Sequence, residues 1–256
     1  MPYTNVKGIN TFYLCTNGDS LPIILIHGAG GSSQCWSKQL SSLQNLEKLI
    51  AVDLPGHGNS GGDLLSDIAA MAEFINDFSQ ALALETFILV GHSMGGAIAQ
   101  EFTLRHPEKV KGLILIGAGA RLRVSQGILD ACASGQMPFR DVNHLYGSAT
   151  SEDQKAKEMK KLQEIPPEVF WADFQACNTF DRIGEVEKIK IPSLILVGDE
   201  DVMTPVKYSE FLVGKLPKAD LRIIKHAGHM CMEEKANEVT EEIRSFLNQL
   251  DLTANI

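Results

Sequence analysis

The segment Gly91-His92-Ser93-Met94-Gly95-Gly96 sets one hydroxyl among glycines. It lies where an apolar run, Phe87-Ile88-Leu89-Val90, gives way to the helix-forming Ala97-Ile98-Ala99-Gln100-Glu101-Phe102. A residue at such a corner needs backbone angles that most side chains resist, and glycine neighbours make room for the chain around it. The corner pushes the hydroxyl out over the strand end and leaves the first N–H groups of the helix beside it, where they favour negative charge. Gly91-x-Ser93-x-Gly95 is the nucleophile-elbow spacing, suited to attack on a carbonyl. A serine becomes a good nucleophile only when a base takes its proton, and the base needs a third group to orient it. Seven histidines are candidates for the base. Two aspartates, Asp199 and Asp201, follow the apolar run Leu194-Ile195-Leu196-Val197.

These residues need elements to position them. The apolar runs Leu49 to Val52, Phe87 to Val90, Leu113 to Ile116, Leu194 to Val197 and Leu221 to Ile224 are short, and most are apolar throughout. That is what parallel strands covered on both faces require. Near the N-terminus, Phe12 to Cys15, a turn at Asn17-Gly18-Asp19 and Pro22 to Ile26 read as a hairpin. Between the runs lie helical patterns. Ile68, Met71, Ile75, Phe78 and Leu82 form one stripe, and Val239, Ile243, Phe246, Leu247 and Leu250 form another. Met94 to His106 stops before Pro107, and Thr204-Pro205 reads as an N-cap with a first-turn proline. Alternating strand and helix predicts an α/β fold: a mostly parallel central sheet with helices on both faces and right-handed crossovers. From about Ala120 to Glu187 the alternation breaks into helical pieces without a strand. The expected organisation is a core over 1–119 and 188–256 with a helical cap inserted over 120–187.

With these motifs in order, the chain resembles the α/β-hydrolase superfamily over nearly its full length. His27-Gly28-Ala29-Gly30-Gly31 follows the first long strand, and Asp53-Leu54-Pro55-Gly56-His57-Gly58-Asn59-Ser60 follows the next. The serine corner comes third, then Gly198-Asp199-Glu200-Asp201-Val202-Met203-Thr204-Pro205, then His226-Ala227-Gly228-His229-Met230. The resemblance implies Ser93 as nucleophile. His229 is the expected base, lying in a loop just past the last strand, with His226 as runner-up. Asp201 is the expected acid through the family's G-x-x-D-x-x-x-P loop, and Asp199 is left to shape that loop. The order Ser93, Asp201, His229 is the order of the superfamily. By the same resemblance the backbone N–H groups of Ala29 and Met94 form the oxyanion hole. His27, His57 and His92 stand at loop-shaping positions, His106 fits a helix C-terminus, and His144 falls in the cap.

Composition narrows the partners. The net charge of −9 argues against nucleic acid and offers no basic patch to a membrane. No apolar run approaches the roughly 18 residues of a membrane span, and the N-terminus lacks a signal-peptide pattern. The cysteines (Cys15, Cys35, Cys132, Cys177, Cys231) are odd in number, scattered and without metal-ligand spacing. Reduced, mostly buried thiols in a cytoplasmic protein are expected. No lysine and Ser/Thr follow the His27 glycine stretch as a phosphate loop requires, and the dinucleotide fingerprint is absent. The expected chemistry uses neither metal nor cofactor.

A serine nucleophile separates this chain from relatives that use aspartate, such as haloalkane dehalogenases and epoxide hydrolases. The resemblance is to small carboxylesterases, enol-lactonases and hydrolases that split carbon–carbon bonds. The last group usually carries Trp after the histidine, where this chain has Met230. The expected substrate is a small or medium ester with an apolar acyl or alcohol part. Phe139, Tyr146, Phe170, Trp171 and Phe174 of the cap are expected pocket residues, with Met94 as a floor; the alternative is that these aromatics pack the cap on the core. Arg121 and Arg123 either meet an acidic group or lie solvated at the surface. A lactonase, a carbon–carbon bond hydrolase and a non-catalytic ligand-binding member of the fold are the alternatives.

Overall fold

A computed structural model describes residues 3–44 and 47–251. In chain order the elements are β1 (Tyr3–Val6), β2 (Ile9–Cys15), β3 (Ile23–Ile26), α1 (Ser37–Leu43), β4 (Leu49–Val52), α2 (Ile68–Ala81), β5 (Phe87–His92), α3 (Met94–Arg105) and β6 (Val110–Ile116). Then come α4 (Gln126–Ala133), α5 (Glu152–Gln163), α6 (Pro167–Thr179), β7 (Ser193–Gly198), α7 (Val206–Lys215), β8 (Ala219–Ile224), α8 (Cys231–Glu234) and α9 (Ala236–Asp251).

The strands form one sheet in the order β1-β2-β4-β3-β5-β6-β7-β8. The two N-terminal strands pair antiparallel and the rest run parallel. The period of two in a strand divides the apolar runs between two cores. Ile24 and Ile26 of β3 join α2, α3 and α7 on one face, while Ile23 and Leu25 join α1 and α9 on the other. Both faces are therefore covered, which is why these strands carry no polar alternation. Among the described residues no helix is long and apolar enough to cross a membrane.

The expected N-terminal hairpin is corrected. β2 pairs with β1 and β4, while β3 lies between β4 and β5. Ile23 to Ile26 are all buried, so this segment belongs inside the sheet, whereas the partly exposed β2 suits its flank. The turn that does form a hairpin is at Lys7-Gly8, where both residues have positive φ.

Between β6 and β7 the chain leaves the sheet and returns through a narrow neck. There Arg121 bridges Asp181, Leu122 N–H donates to the Phe180 carbonyl and Arg182 N–H donates to that of Ala120. α4, α5 and α6 lie between. Leu129, Cys132, Phe139, Phe170 and Phe174 form a small core of their own. Arg182 also reaches down to the buried Glu101 of α3 at 2.6 Å, tying the neck to the sheet layer.

Candidate active site

Ser93 occupies the corner between β5 and α3 at φ +52°, ψ −115°, outside the ordinary regions for a side-chain-bearing residue. The surroundings hold it there. Its N–H donates to the Ile116 carbonyl, and its own carbonyl accepts from Gly96 and Ala97 of the first helical turn. A Cβ on Gly95 would lie 2.3 Å from the Ile26 carbonyl oxygen, so glycine is what lets α3 start this close to the end of β3. The Met94 N–H opens α3 next to Ser93, where the first N–H groups of a helix have no intrahelical acceptor.

His229 follows β8 in the loop before α8. Its Nδ1 lies 2.9 Å from Asp201 Oδ2, and both side chains are almost fully buried. Asp201 is held from several sides. Its Oδ1 accepts from the N–H groups of Met203 and Thr204, and its Oδ2 accepts from the Thr204 hydroxyl. Burial opposes the charged carboxylate, but His229 and the Thr204 donors outweigh it and hold the Asp201 carboxyl below the usual range. The expected capping role of Thr204 is corrected. Pro205 takes the cap of α7, which begins at Val206, and Thr204 turns to Asp201 and His229 instead.

The competing residues lie elsewhere. His226 is 74% exposed at its side chain and faces Glu200. Asp199 accepts from the His226 N–H at 2.7 Å and pairs with Lys225. His27 accepts from Leu54 N–H at Nε2, which leaves Nδ1 to donate to the Gly28 carbonyl. His92 Nε2 donates to the His229 carbonyl. Burial first, and a neighbouring histidine second, hold both His27 and His92 down to about 3.

Ser93 and His229 line one cavity of about 210 Å³ with Gly28, Ala29 and Gly30. Phe139, Tyr146 and Phe174 of the cap are in its wall. Three expected wall residues are not. Phe170 is fully buried inside the cap, stacked on Phe174 at 6.0 Å. Trp171, one position further round α6, faces outward and is 41% exposed. The Met94 side chain is buried in the main core rather than under the cavity. Arg121 and Arg123 meet Asp181 at the neck.

The wall also holds residues that sequence reasoning passed over. Leu145, Leu162, Ile165 and Met230 add apolar surface. Glu158, Lys161 and Glu233 make one part of the wall charged. The Tyr146 hydroxyl donates to Glu233, and burial followed by the nearby Glu158 pushes the Glu233 carboxyl up to about 7. The helical pattern of α5 carries no strong apolar stripe, so nothing in it flags Glu158 or Leu162 as wall residues.

The model of the alpha/beta hydrolase fold family matches residues 22–236. A pimeloyl-[acyl-carrier protein] methyl ester esterase of Nitrosomonas europaea is 27% identical, covering 86% of this chain and 92% of that protein. A putative carbamate hydrolase RutD of Caulobacter is 27% identical, with 82% and 84% covered. Among solved structures, a thermophilic esterase is 29% identical with a TM-score of 0.82, covering 97% of each chain.

Proposed function

This chain belongs to the α/β-hydrolase family, and from that premise we propose that it hydrolyses a small or medium carboxylic ester through an acyl-enzyme on Ser93. The observation that carries the reading is the meeting of Ser93 and the Asp201-supported His229 in one cavity. Asp201 keeps the proton of His229 on Nδ1, so Nε2 is free to take the Ser93 proton. Ser93 Oγ attacks the ester carbonyl, and the N–H groups of Met94 and Ala29 receive the charge that develops on oxygen. His229 returns its proton to the departing alcohol. It then deprotonates a water that releases the acid and restores Ser93.

The cavity supports the substrate size. At about 210 Å³ it falls below the roughly 300–1,000 Å³ of drug-sized ligand sites. The likeness to an esterase and a methyl ester esterase supports the reaction class. Ser93→Ala tests it. The variant should keep the wild-type melting temperature, lose fluorophosphonate labelling and lose at least about 10³-fold in kcat on p-nitrophenyl butyrate. Unchanged turnover removes Ser93 as nucleophile. A panel of esters and lactones of graded acyl length then separates esterase from lactonase.

A further inference from the structure

The cap sends a fully buried carboxylate to the loop that carries Ala29. Asp173 of α6 is 0% exposed, and its Oδ2 accepts from the Gly30 N–H at 2.7 Å and faces His57 Nε2 at 2.9 Å. The other nitrogen of His57, Nδ1, lies 3.0 Å from the Pro55 carbonyl. A carbonyl only accepts, so Nδ1 carries a proton, and Nε2 meets a carboxylate. Both nitrogens are therefore set to donate. Burial disfavours the imidazolium, but Asp173 overcomes it and raises His57 above its ordinary value.

One face of α6 makes the whole contact. Phe170 and Asp173 are three residues apart and share that face. Gly30 has φ +65°, and a Cβ there would lie 2.2 Å from the Phe170 ring. The ring thus closes on Gly30 from its side while the carboxylate holds its N–H. A planar peptide joins Ala29 to Gly30, so fixing that N–H fixes the peptide next to the proposed oxyanion donor. Stability is a weak reason for such a pair, since a buried ion pair is often matched by apolar residues of similar volume. Asp173 Oδ1 has no hydrogen-bond partner among the described residues, so both donors concentrate on the one oxygen that faces the loop.

We infer that Asp173 is a positioning residue for the acyl-transfer reaction: from the cap it holds the Gly30 N–H and so the Ala29 backbone, with His57 as its counter-charge. The charge of His57 matters because a bare carboxylate one residue from Ala29 would oppose the oxyanion forming there. This inference rests on the proposed hydrolase reading. It makes the cap part of the catalytic geometry as well as a cover for the substrate.

The test compares Asp173→Ala and Asp173→Asn in kcat, KM and melting temperature on p-nitrophenyl butyrate, with fluorophosphonate labelling of each. Losing one oxyanion donor costs about 10²–10³ in kcat, so misplacing one through Asp173→Ala should cost about 10- to 10²-fold, with KM within about 3-fold. Asp173→Asn keeps an acceptor for Gly30 and should recover most of that loss. A folded Asp173→Ala with wild-type kcat, a change confined to KM, or an Asp173→Asn no better than Ala overturns the inference. Should Asp173→Ala not fold, His57→Gln carries the test. Its amide still donates to Asp173 but leaves the charge uncompensated, so kcat falls about 10-fold at constant KM; an unchanged kcat overturns the inference. A wild-type protein that neither turns over esters or lactones nor labels overturns the hydrolase reading and this inference together. An active wild type with unaffected variants overturns this inference alone.

Discussion

Under the proposed mechanism, replacing Asp201 by asparagine should disable His229 as the base while leaving the fold in place, for a reason that lies in the hydrogen bonds of Asp201. Oδ1 of Asp201 accepts two backbone N–H groups, from Met203 and Thr204. The asparagine oxygen must occupy that position. Its NH₂ group then takes the place of Oδ2 and points at His229 Nδ1, 2.9 Å away in the native protein. An NH₂ group donates, so Nδ1 must accept and the ring proton moves to Nε2, the nitrogen that has to take the Ser93 proton. Turning the amide round restores the useful tautomer but leaves two buried N–H groups facing a donor. At about 1–3 kcal/mol for each unsatisfied group, the useful state lies about 2–6 kcal/mol higher. With about 1.36 kcal/mol per decade, kcat should fall about 30- to 3 × 10⁴-fold. KM should stay near wild type, because Asp201 is not part of the cavity wall. The assay is steady-state hydrolysis of p-nitrophenyl butyrate with Asp199→Asn alongside. Asp199 keeps an acceptor for the His226 N–H in that variant, so its kcat should stay within about 3-fold. A larger loss at Asp199 than at Asp201, or a folded Asp201→Asn with wild-type kcat, refutes the reasoning.

Two further outcomes follow from the cavity wall. Glu233 has its carboxyl raised to about 7, so the folded protein holds a proton there that the unfolded chain releases near pH 4.5. The cost of charging it is present in full above about pH 7 and is relieved as pH falls toward 4.5. Glu233→Gln keeps an acceptor for Tyr146 and removes that cost, so it should raise stability at pH 8 by up to about 3 kcal/mol, with the gain vanishing near pH 4.5. Urea denaturation at both pH values checks this, and a gain that grows toward acid contradicts it. Trp171→Ser should leave kcat/KM within about 2-fold while Phe174→Ala shifts KM several-fold. Equal effects would show that the outer face of α6 takes part in binding.

The legible parts of the site were those whose cause is local. The Ser93 corner could be read because the glycines that permit it are its sequence neighbours, and the sheet could be read because strands covered on both faces must be apolar throughout. Pairing is non-local, so β3 was misread as the partner of β2 when its full burial calls for the sheet interior. Thr204 was misread because a Thr-Pro pair usually caps a helix, whereas here the buried Asp201 takes its hydroxyl. Trp171 attracted attention by its size, but the phase of α6 turns it outward while Phe170 and Phe174 face in. Asp173 gave no signal at all. Its partners Gly30 and His57 lie 143 and 116 residues away, and nothing in its neighbourhood marks an acid in an aromatic helix as buried.

Four histidines crowd this region, and their environments give them different states. His27 faces an N–H on one side and a carbonyl on the other, a pattern that a neutral ring satisfies completely. His92 lies 4.7 Å from His229, centre to centre, and is also kept neutral by burial. A charged His92 would oppose the proton that His229 must accept from Ser93 under the proposed mechanism, so its neutrality serves the base while its N–H holds the His229 carbonyl. His57 is the reverse case: burial opposes its charged form, but the Asp173 carboxylate outweighs burial and favours that form. The neutral rings brace the two loops, and His57 faces Asp173 at 2.9 Å. Under the proposed mechanism that leaves His229, with Asp201 behind it at 2.9 Å, as the ring that takes the Ser93 proton. A histidine beside the serine in GHSMGG is therefore better explained by the field it must not create than by any proton it could carry.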